Sequence, residues 1–210
     1  FLIVLTIISF SVTMYFSLFG LDAHHDGVMM KNALDVANGR ILYTESISQY
    51  GMLVSFIQAL FIRVFGEHLW SIHLATTVFY VICYDVTYLI CKRFVPRLFA
   101  LVINLLILLS APFYFWDFLP WSNVFGLCFL ICCLYMILLF IESRKYVYLI
   151  FSAVFSAFSY FSKMPIGMVV YLALILLLIL FYIISGFHKR WGKYIFVYLI
   201  STLLCCSAFF

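Results

Sequence analysis

The sequence predicts an all-α, polytopic membrane protein, on the evidence of its composition and of its apolar pattern. Of the 210 residues, 68% are apolar and only 10% are charged, which leaves too few polar side chains to cover a water-soluble domain. Apolar runs of about 18 residues or more recur along the chain, and a helix of that length can cross a hydrocarbon layer of about 30 Å. We therefore predict one membrane domain over residues 1–210, and expect a fragment at both ends because the chain starts at Phe1 and stops inside an apolar run.

About seven spans are expected, each an apolar run between polar residues. They cover residues 1–19, 70–91, 98–115, 122–141, 146–161, 166–185 and 194–210. A further apolar run, Met52–Phe65, reaches only about 21 Å at 1.5 Å per residue, which is too short to cross upright.

The basic residues indicate whether Met52–Phe65 crosses. If it does not, one side of the membrane carries eight basic residues and the other side four. The eight are Lys92, Arg93, Arg97, Arg144, Lys145, Lys189, Arg190 and Lys193, and the four are Lys31, Arg40, Arg63 and Lys163. Because cytoplasmic loops carry the excess of Lys and Arg, this arrangement obeys the positive-inside rule, whereas a crossing would reverse the bias. We therefore predict that Met52–Phe65 lies in the interface or re-enters, within an external loop over residues 20–66.

The same external loop contains an amphipathic segment between residues 28 and 38. Apolar side chains recur every four residues from Met29 to Ala37, and polar side chains take the opposite face. Asp26 stands at the N-cap position and Gly39 at the position of a C-terminal glycine. The pattern predicts a short helix along the membrane surface, so the loop should contain two juxtamembrane helices.

A cluster of acids and histidines at residues 22–26 holds the first candidates for chemistry. Asp26 is either an N-cap or a general base that accepts a proton from a hydroxyl or amine, and a cap position is compatible with both roles. Asp22, His24 and His25 are interpreted as polar loop residues beside it, with substrate or metal contact as the alternative. No metal site is predicted, although a divalent ion stays open, because the sequence does not show whether ligands converge.

Two more polar residues fall on the predicted external side. Asp117, in the aromatic segment FYFWDFLPW, is either solvated at the interface or functional. Lys163 either extends to lipid headgroups or pairs with a lipid phosphate.

The start of Met52–Phe65 is a candidate phosphate site, because a helix beginning after Gly51 presents backbone N–H groups. Gln49 and Tyr50 directly precede it and are candidate substrate contacts. Arg63, near the other end of the run, contacts either lipid headgroups or a phosphate-linked donor.

Two polar residues lie inside predicted spans and are given structural roles. Asp85 is expected to form a structural pair with Lys92, Arg93 or another polar group near the cytoplasmic face. Asn104 is expected to form a hydrogen bond between helices. The seven cysteines are interpreted as small packing residues.

The order of these elements is a span, the motif HHDG, a surface helix ending in NG, the motif SQYG, a short apolar helix ending in FG, and a regular span. This order resembles the N-terminal half of polytopic, polyprenyl-phosphate-sugar-dependent glycosyltransferases of the GT-C type. That group includes dolichyl-phosphate-mannose protein mannosyltransferases and bacterial aminoarabinose transferases of lipopolysaccharide. The resemblance covers nearly the whole chain and depends on the order and spacing of short motifs.

The resemblance implies roles for three residues. Asp26 matches the acid of the first external loop, which is the catalytic base or a close partner of the acceptor. Asp117 matches a second external acid, and Lys163 in SKMPIG is similar to a basic residue that meets the donor phosphate. Met52 stands where a proline often follows YG, and no lysine precedes the surface helix as in the aminoarabinose enzymes, so the sugar and the phosphate contacts stay open.

The resemblance further implies an inverting glycosyltransferase of glycan or cell-envelope biosynthesis that needs no cofactor. Its partners would be a polyprenyl-phosphate-linked sugar donor, a lipid, glycan or protein acceptor, and membrane lipids. Nucleic acid is not expected, because the basic residues are scattered over short loops. The expected location is the bacterial inner membrane, with the active face periplasmic.

Two other functions remain as alternatives. A transporter or lipid flippase also has many spans and few charges, but transporters usually place ionisable residues near the midplane, whereas most polar residues here fall on one face. A non-catalytic membrane assembly subunit would not depend on Asp26.

Overall fold

The computed structural model describes residues 1–19, 22–114, 118–184 and 189–209, and the side chains of all of these except residues 111–114. In these ranges the chain is nearly all helical, with an isolated β-bridge between Leu42 and Ser46. The helices are α1 (Leu2–Ser17), α2 (His25–Ala37), α3 (Met52–Phe65), α4 (Leu69–Cys91), α5 (Arg97–Tyr114), α6 (Ser122–Ser143), α7 (Tyr146–Ser162), α8 (Met164–Ile184) and α9 (Lys189–Ser207). The predicted all-α fold is confirmed.

The long helices form a bundle, and the loops and short helices between α1 and α4 lie at one of its ends. At this end, which we call the loop end, α1 and α7 finish and α4, α6 and α8 begin. The Ser159 hydroxyl near the end of α7 donates to the carbonyl of Gly126 near the start of α6, at 3.0 Å. The ring of Phe118, just before α6, lies 6.4 Å from Phe16 of α1 and 4.9 Å from Tyr80 of α4, between ring centroids.

The opposite end of the bundle carries the eight basic residues, and we call it the basic end. Arg93, after α4, pairs with Glu142 near the end of α6. The guanidinium of Arg144, after α6, lies 4.5 Å from the centre of the Trp191 ring in α9. These contacts join all three basic turns at one end.

Helix α3 lies across the loop end and does not pass through the bundle. A side chain at Gly51, before its first residue, would overlap the carbonyl oxygens of Phe161 and Ser162 at the end of α7. At its other end, the ring of Phe65 lies 5.8 Å from that of Trp70 at the start of α4. Both ends of α3 therefore lie at the loop end, and its depth in a membrane remains a prediction.

The apolar helices of the chain are those of an integral membrane protein. By length and composition, three described helices could cross a membrane: Leu69–Cys91, Ser122–Ser143 and Met164–Ile184. Four apolar segments are shorter: Leu2–Ser17, Met52–Phe65, Arg97–Ser110, which is the part of α5 whose side chains are described, and Tyr146–Ser162. Helix α8 exposes Val169, Leu172 and Leu176 at 55–67% of their surface, a face suited to lipid. The number of spans, about seven, remains a prediction.

Helices α2 and α3 are fixed to the bundle by a shared apolar core. Met29 of α2, Val54 of α3 and Ile72 of α4 belong to one buried cluster, and each is at most 1% exposed. Phe125 of α6 belongs to the same cluster and is fully buried. The polar residues at the start of α2 are therefore held against the first turns of α4 and α6.

Both polar residues inside the predicted spans form hydrogen bonds in the structure. Asp85 accepts a hydrogen bond of 2.8 Å from the Thr6 hydroxyl of α1, while Arg93 pairs with Glu142. Of the partners expected for Asp85, the structure shows the polar group, which is the hydroxyl of Thr6 near the start of α1, and not a basic residue of the next turn. Asn104 donates to the carbonyl of Ala100 in its own helix at 2.8 Å. The expected bond from Asn104 to another helix is not found among the described residues.

Candidate active site

The start of α2 is capped by Asp22. Its Oδ1 accepts the backbone N–H groups of His24 and His25 at 2.9 and 3.1 Å, and its carbonyl accepts the N–H of Asp26 at 2.9 Å. Side-chain oxygens commonly satisfy the free N–H groups of a first turn in this way. Asp26 lies inside the first turn of α2, so the interpretation of Asp26 as the N-cap is wrong.

Asp26 is buried, with 1% of its surface exposed. Its Oδ2 accepts the backbone N–H of Asp22 at 3.0 Å. Its Oδ1 lies 3.3 Å from Nε2 of His73, but the two are not aligned as a hydrogen bond, and Oδ1 has no hydrogen-bond partner among the described residues. The carboxylate lies in the first turn of α2, at the positive end of the helix dipole. The group thus has one fixed oxygen and one free to accept a proton.

His73 is the residue at this site that the sequence analysis did not identify. It lies in the second turn of α4, with 4% of its surface exposed. Its Nδ1 has no hydrogen-bond partner in the described part of the chain. One feature of the sequence could have identified His73: it is an ionisable side chain at the outer end of an apolar run. Such residues are costly in a membrane helix and are commonly functional.

A second acid–histidine pair lies beside the first. Nδ1 of His25 is 2.6 Å from Oδ2 of Asp22. The pKa of the Asp22 carboxyl is lowered chiefly by this hydrogen bond and then by the backbone N–H groups of His25 and His24. The ring of His25 lies 4.9 Å from that of Trp121, just before α6, and 5.0 Å from that of the exposed His24. His25 therefore connects the start of α2 with the start of α6.

Lys163 and Tyr50 meet at the turn between α7 and α8. The Lys163 ammonium lies 5.4 Å from the centre of the Tyr50 ring. Among the described residues Lys163 forms no ion pair within 4.0 Å. The Tyr50 carbonyl accepts the Tyr43 hydroxyl at 2.7 Å and the Ser48 hydroxyl at 3.1 Å, and Gln49 beside it is exposed.

The start of α6 lies between the two groups of residues, and a cavity opens beside it. Trp121 contacts His25, and one turn later a Cβ at Gly126 would lie 3.0 Å from the Cβ of Lys163. A cavity of about 500 Å³ opens between α4, α5, α6 and α8. Its lining includes Tyr80, Tyr84, Asn104, Trp121, Asn123 and Ile166. A mostly apolar space of this size beside polar groups is typical of a ligand site.

Of the predicted site residues in the described part of the chain, Arg63 is not brought to this cluster. The Arg63 guanidinium donates to the carbonyls of Val36 and Ala37 at 3.0–3.3 Å, so it closes the C-terminus of α2, about 16 Å along the helix from Asp26. Asp117 lies outside the described residues. In the part of the chain that the structure describes, no group of three or more His, Cys, Asp or Glu side chains is placed to hold a metal ion.

Comparison with known proteins gives a family match. The sequence matches the family described as dolichyl-phosphate-mannose-protein mannosyltransferase over residues 49–210. No curated protein and no solved structure matches the chain. The matched region contains His73, Trp121 and Lys163, whereas Asp26 precedes it.

Proposed function

Because the chain belongs to the dolichyl-phosphate-mannose-protein mannosyltransferase family, and so is a membrane glycosyltransferase, we propose that it transfers a sugar from a polyprenyl-phosphate donor with Asp26 as the general base. The observation that supports this role is the state of its buried carboxylate. One oxygen is held by a backbone N–H group, and the other has no hydrogen-bond partner among the described residues. A carboxylate in this state can accept a proton from a bound hydroxyl.

In the proposed reaction, an acceptor hydroxyl gives its proton to Asp26 while its oxygen attacks the anomeric carbon of the donor sugar. The bond between that carbon and the phosphate oxygen breaks, and its electron pair leaves with the polyprenyl phosphate. Attack opposite the leaving group inverts the anomeric configuration. A fixed base and a fixed donor favour this step because they remove the entropic cost of bringing the reactants together.

The donor phosphate is assigned to Lys163 and the adjoining start of α3. Lys163 has no carboxylate partner among the described residues, and its ammonium lies over Tyr50, directly before Gly51. A phosphate here would meet a cation and the N–H groups of a helix N-terminus together. Gln49, exposed beside Tyr50, and the two histidines at the start of α2 would contact the sugar or the acceptor.

The acceptor is a lipid, a glycan or a protein, and Asp117 is assigned to its placement as the second acid. The proposed location is the bacterial inner membrane, with the loop end in the periplasm. The grouping of eight basic residues at the other end supports this orientation.

The replacement Asp26→Asn tests the proposal, because it keeps the shape of the side chain and removes its basicity. The full-length protein is expressed in membranes with a polyprenyl-phosphate-mannose donor labelled in the sugar, and label is followed into lipid, glycan and protein fractions. We expect transfer to fall at least about 100-fold, the lower bound for loss of a general base. Glu67→Gln, which removes an exposed acid between α3 and α4, is the matched control and should transfer normally. Transfer at the wild-type rate by the Asp26→Asn protein at equal expression would favour the non-catalytic subunit.

A further inference from the structure

We propose that His73 is a positioning residue for Asp26, and this inference rests on the proposed function. Its Nε2 lies 3.3 Å from Oδ1 of Asp26, and the two side chains are 4% and 2% exposed. The residues are distant in sequence and belong to different helices, α4 and α2. The contact is therefore made by the fold, at the oxygen that the backbone does not hold.

The burial of both side chains argues that the contact has a role. A buried carboxylate without compensation is strongly disfavoured, and a buried ring nitrogen without a hydrogen bond also costs free energy. In the described part of the chain, Oδ1 of Asp26 and Nδ1 of His73 both lack a hydrogen-bond partner. Such exceptions cluster where a structure must interact with a substrate.

No described Lys or Arg side chain forms an ion pair with the Asp26 carboxylate. Lys31 and Arg40 pair with Asp35, and Arg63 donates to the end of α2. Lys163 lies over the Tyr50 ring. Among the described ion pairs, His73 is the side chain that lies within 4 Å of the Asp26 carboxylate.

His73 acts by holding the plane of the carboxylate. A hydrogen on Nε2 of the imidazole faces Oδ1, and a small rotation aligns the 3.3 Å contact as a hydrogen bond. Catalytic hydrogen bonds are often poorly aligned before the substrate is bound and improve in the complex. Asp26 still takes the acceptor proton, and His73 neither gains nor loses one in that step. It touches the base and neither substrate.

Two replacements of His73 separate positioning from packing. In His73→Gln the side-chain amide keeps an N–H group that can reach Oδ1, whereas His73→Leu fills the space without a donor. We expect kcat of His73→Leu to fall about 100-fold, the loss that a displacement of about 1 Å causes, with the donor KM within about twofold. His73→Gln should recover kcat to within about tenfold of the wild type. His68→Leu, an exposed histidine before α4, is the control and should keep both constants.

The measurements use labelled polyprenyl-phosphate-mannose, the full-length protein, and elution as a single species in detergent to check the fold. Asp26→Asn is assayed in parallel so that the two proposals fail separately. If Asp26→Asn is inactive while His73→Leu keeps the wild-type kcat, the role of His73 is overturned and the proposed function stands. If Asp26→Asn is active, the proposed function is wrong and this inference with it. Equal losses of kcat in the Gln and Leu proteins would show a packing role and overturn the inference.

Discussion

At the scale of single residues, the loop end uses most of its positive charge to hold its own backbone and loop in place. Lys31 and Arg40 bind Asp35 at 2.7 and 3.2 Å, and Arg63 binds the last carbonyls of α2. The pKa of the Asp35 carboxyl is lowered, first by the hydrogen bond from Lys31. Lys163 forms no such pair among the described residues, so its charge remains available to an anion.

We predict that Lys163→Gln raises the donor KM about tenfold while kcat changes little. A charge-assisted hydrogen bond to a phosphate is roughly twice as strong as a neutral one, and about 1.4 kcal/mol corresponds to a tenfold change in affinity. Initial rates at varied polyprenyl-phosphate-mannose concentration check the prediction. Lys145→Gln, an exposed lysine at the basic end, is the control. An unchanged donor KM in Lys163→Gln would leave Lys163 with a headgroup role.

The residues of the site differ in how far the sequence alone could identify them. Asp26 stands out because it lies in the long polar segment of an apolar chain and follows a span. His73 does not, since its neighbours in α4 are apolar and its partner lies in another helix. The cap assignment failed for a local reason: Asp22 and Asp26 are both acids near the helix start, and only the backbone geometry decides between them.

At the scale of elements, α3 is placed by a close backbone contact at Gly51, directly before its first residue. The carbonyl oxygens of Phe161 and Ser162 at the end of α7 occupy the space that a side chain at Gly51 would need. Glycine is the residue that permits such an approach. The contact brings Tyr50 beside Lys163, so the position of α3 also determines the geometry of the proposed phosphate site.

We predict that Gly51→Ala destabilises the protein by about 1–3 kcal/mol, the usual cost of forcing an extra methyl group into a packed site. The midpoint temperature of unfolding in detergent should fall. The matched control is Gly27→Ala in α2, because a Cβ there has nothing within 4 Å and replacing a helical glycine by alanine stabilises a helix by about 0.5–1 kcal/mol. Equal midpoint temperatures for the two variants would contradict the close contact.

The bounds of α3 were predictable, and its position was not. Glycines flank it on both sides, and Gly66 has a φ of 96°, in the region that glycine favours. The predicted run, Met52–Phe65, therefore agrees with the helix. Its packing across the loop end depends on contacts with α7 and α4, which no local pattern contains. For α2 the predicted start was three residues late, because residues 25–27 are polar and fall outside the apolar repeat.

At the scale of the whole molecule, the two ends of the bundle differ in chemistry. At the basic end, the contacts of Arg93 with Glu142 and of Arg144 with Trp191 bring three basic segments together. These segments carry Lys92 and Arg93, Arg144 and Lys145, and Lys189 and Arg190. The loop end holds the buried carboxylate, the two histidine pairs and α3. The sequence alone could distinguish the two ends, because the excess of basic residues on one side can be counted from the order of the loops. It could not show the cavity between α4, α5, α6 and α8, which exists only after the helices pack.

This polarity predicts which end a membrane-impermeant thiol reagent reaches. Thr44 at the loop end and Ser143 at the basic end are both exposed, and the seven native cysteines are buried or partly buried, so the unmodified chain should give a low background. In right-side-out vesicles we expect Thr44→Cys to react with an impermeant maleimide and Ser143→Cys to react only after the membrane is permeabilised. The positive-inside rule is the physical reason, because the end that carries the eight basic residues is expected to face the cytoplasm. The reverse pattern would place Asp26 in the cytoplasm, where a donor with its sugar outside could not reach it.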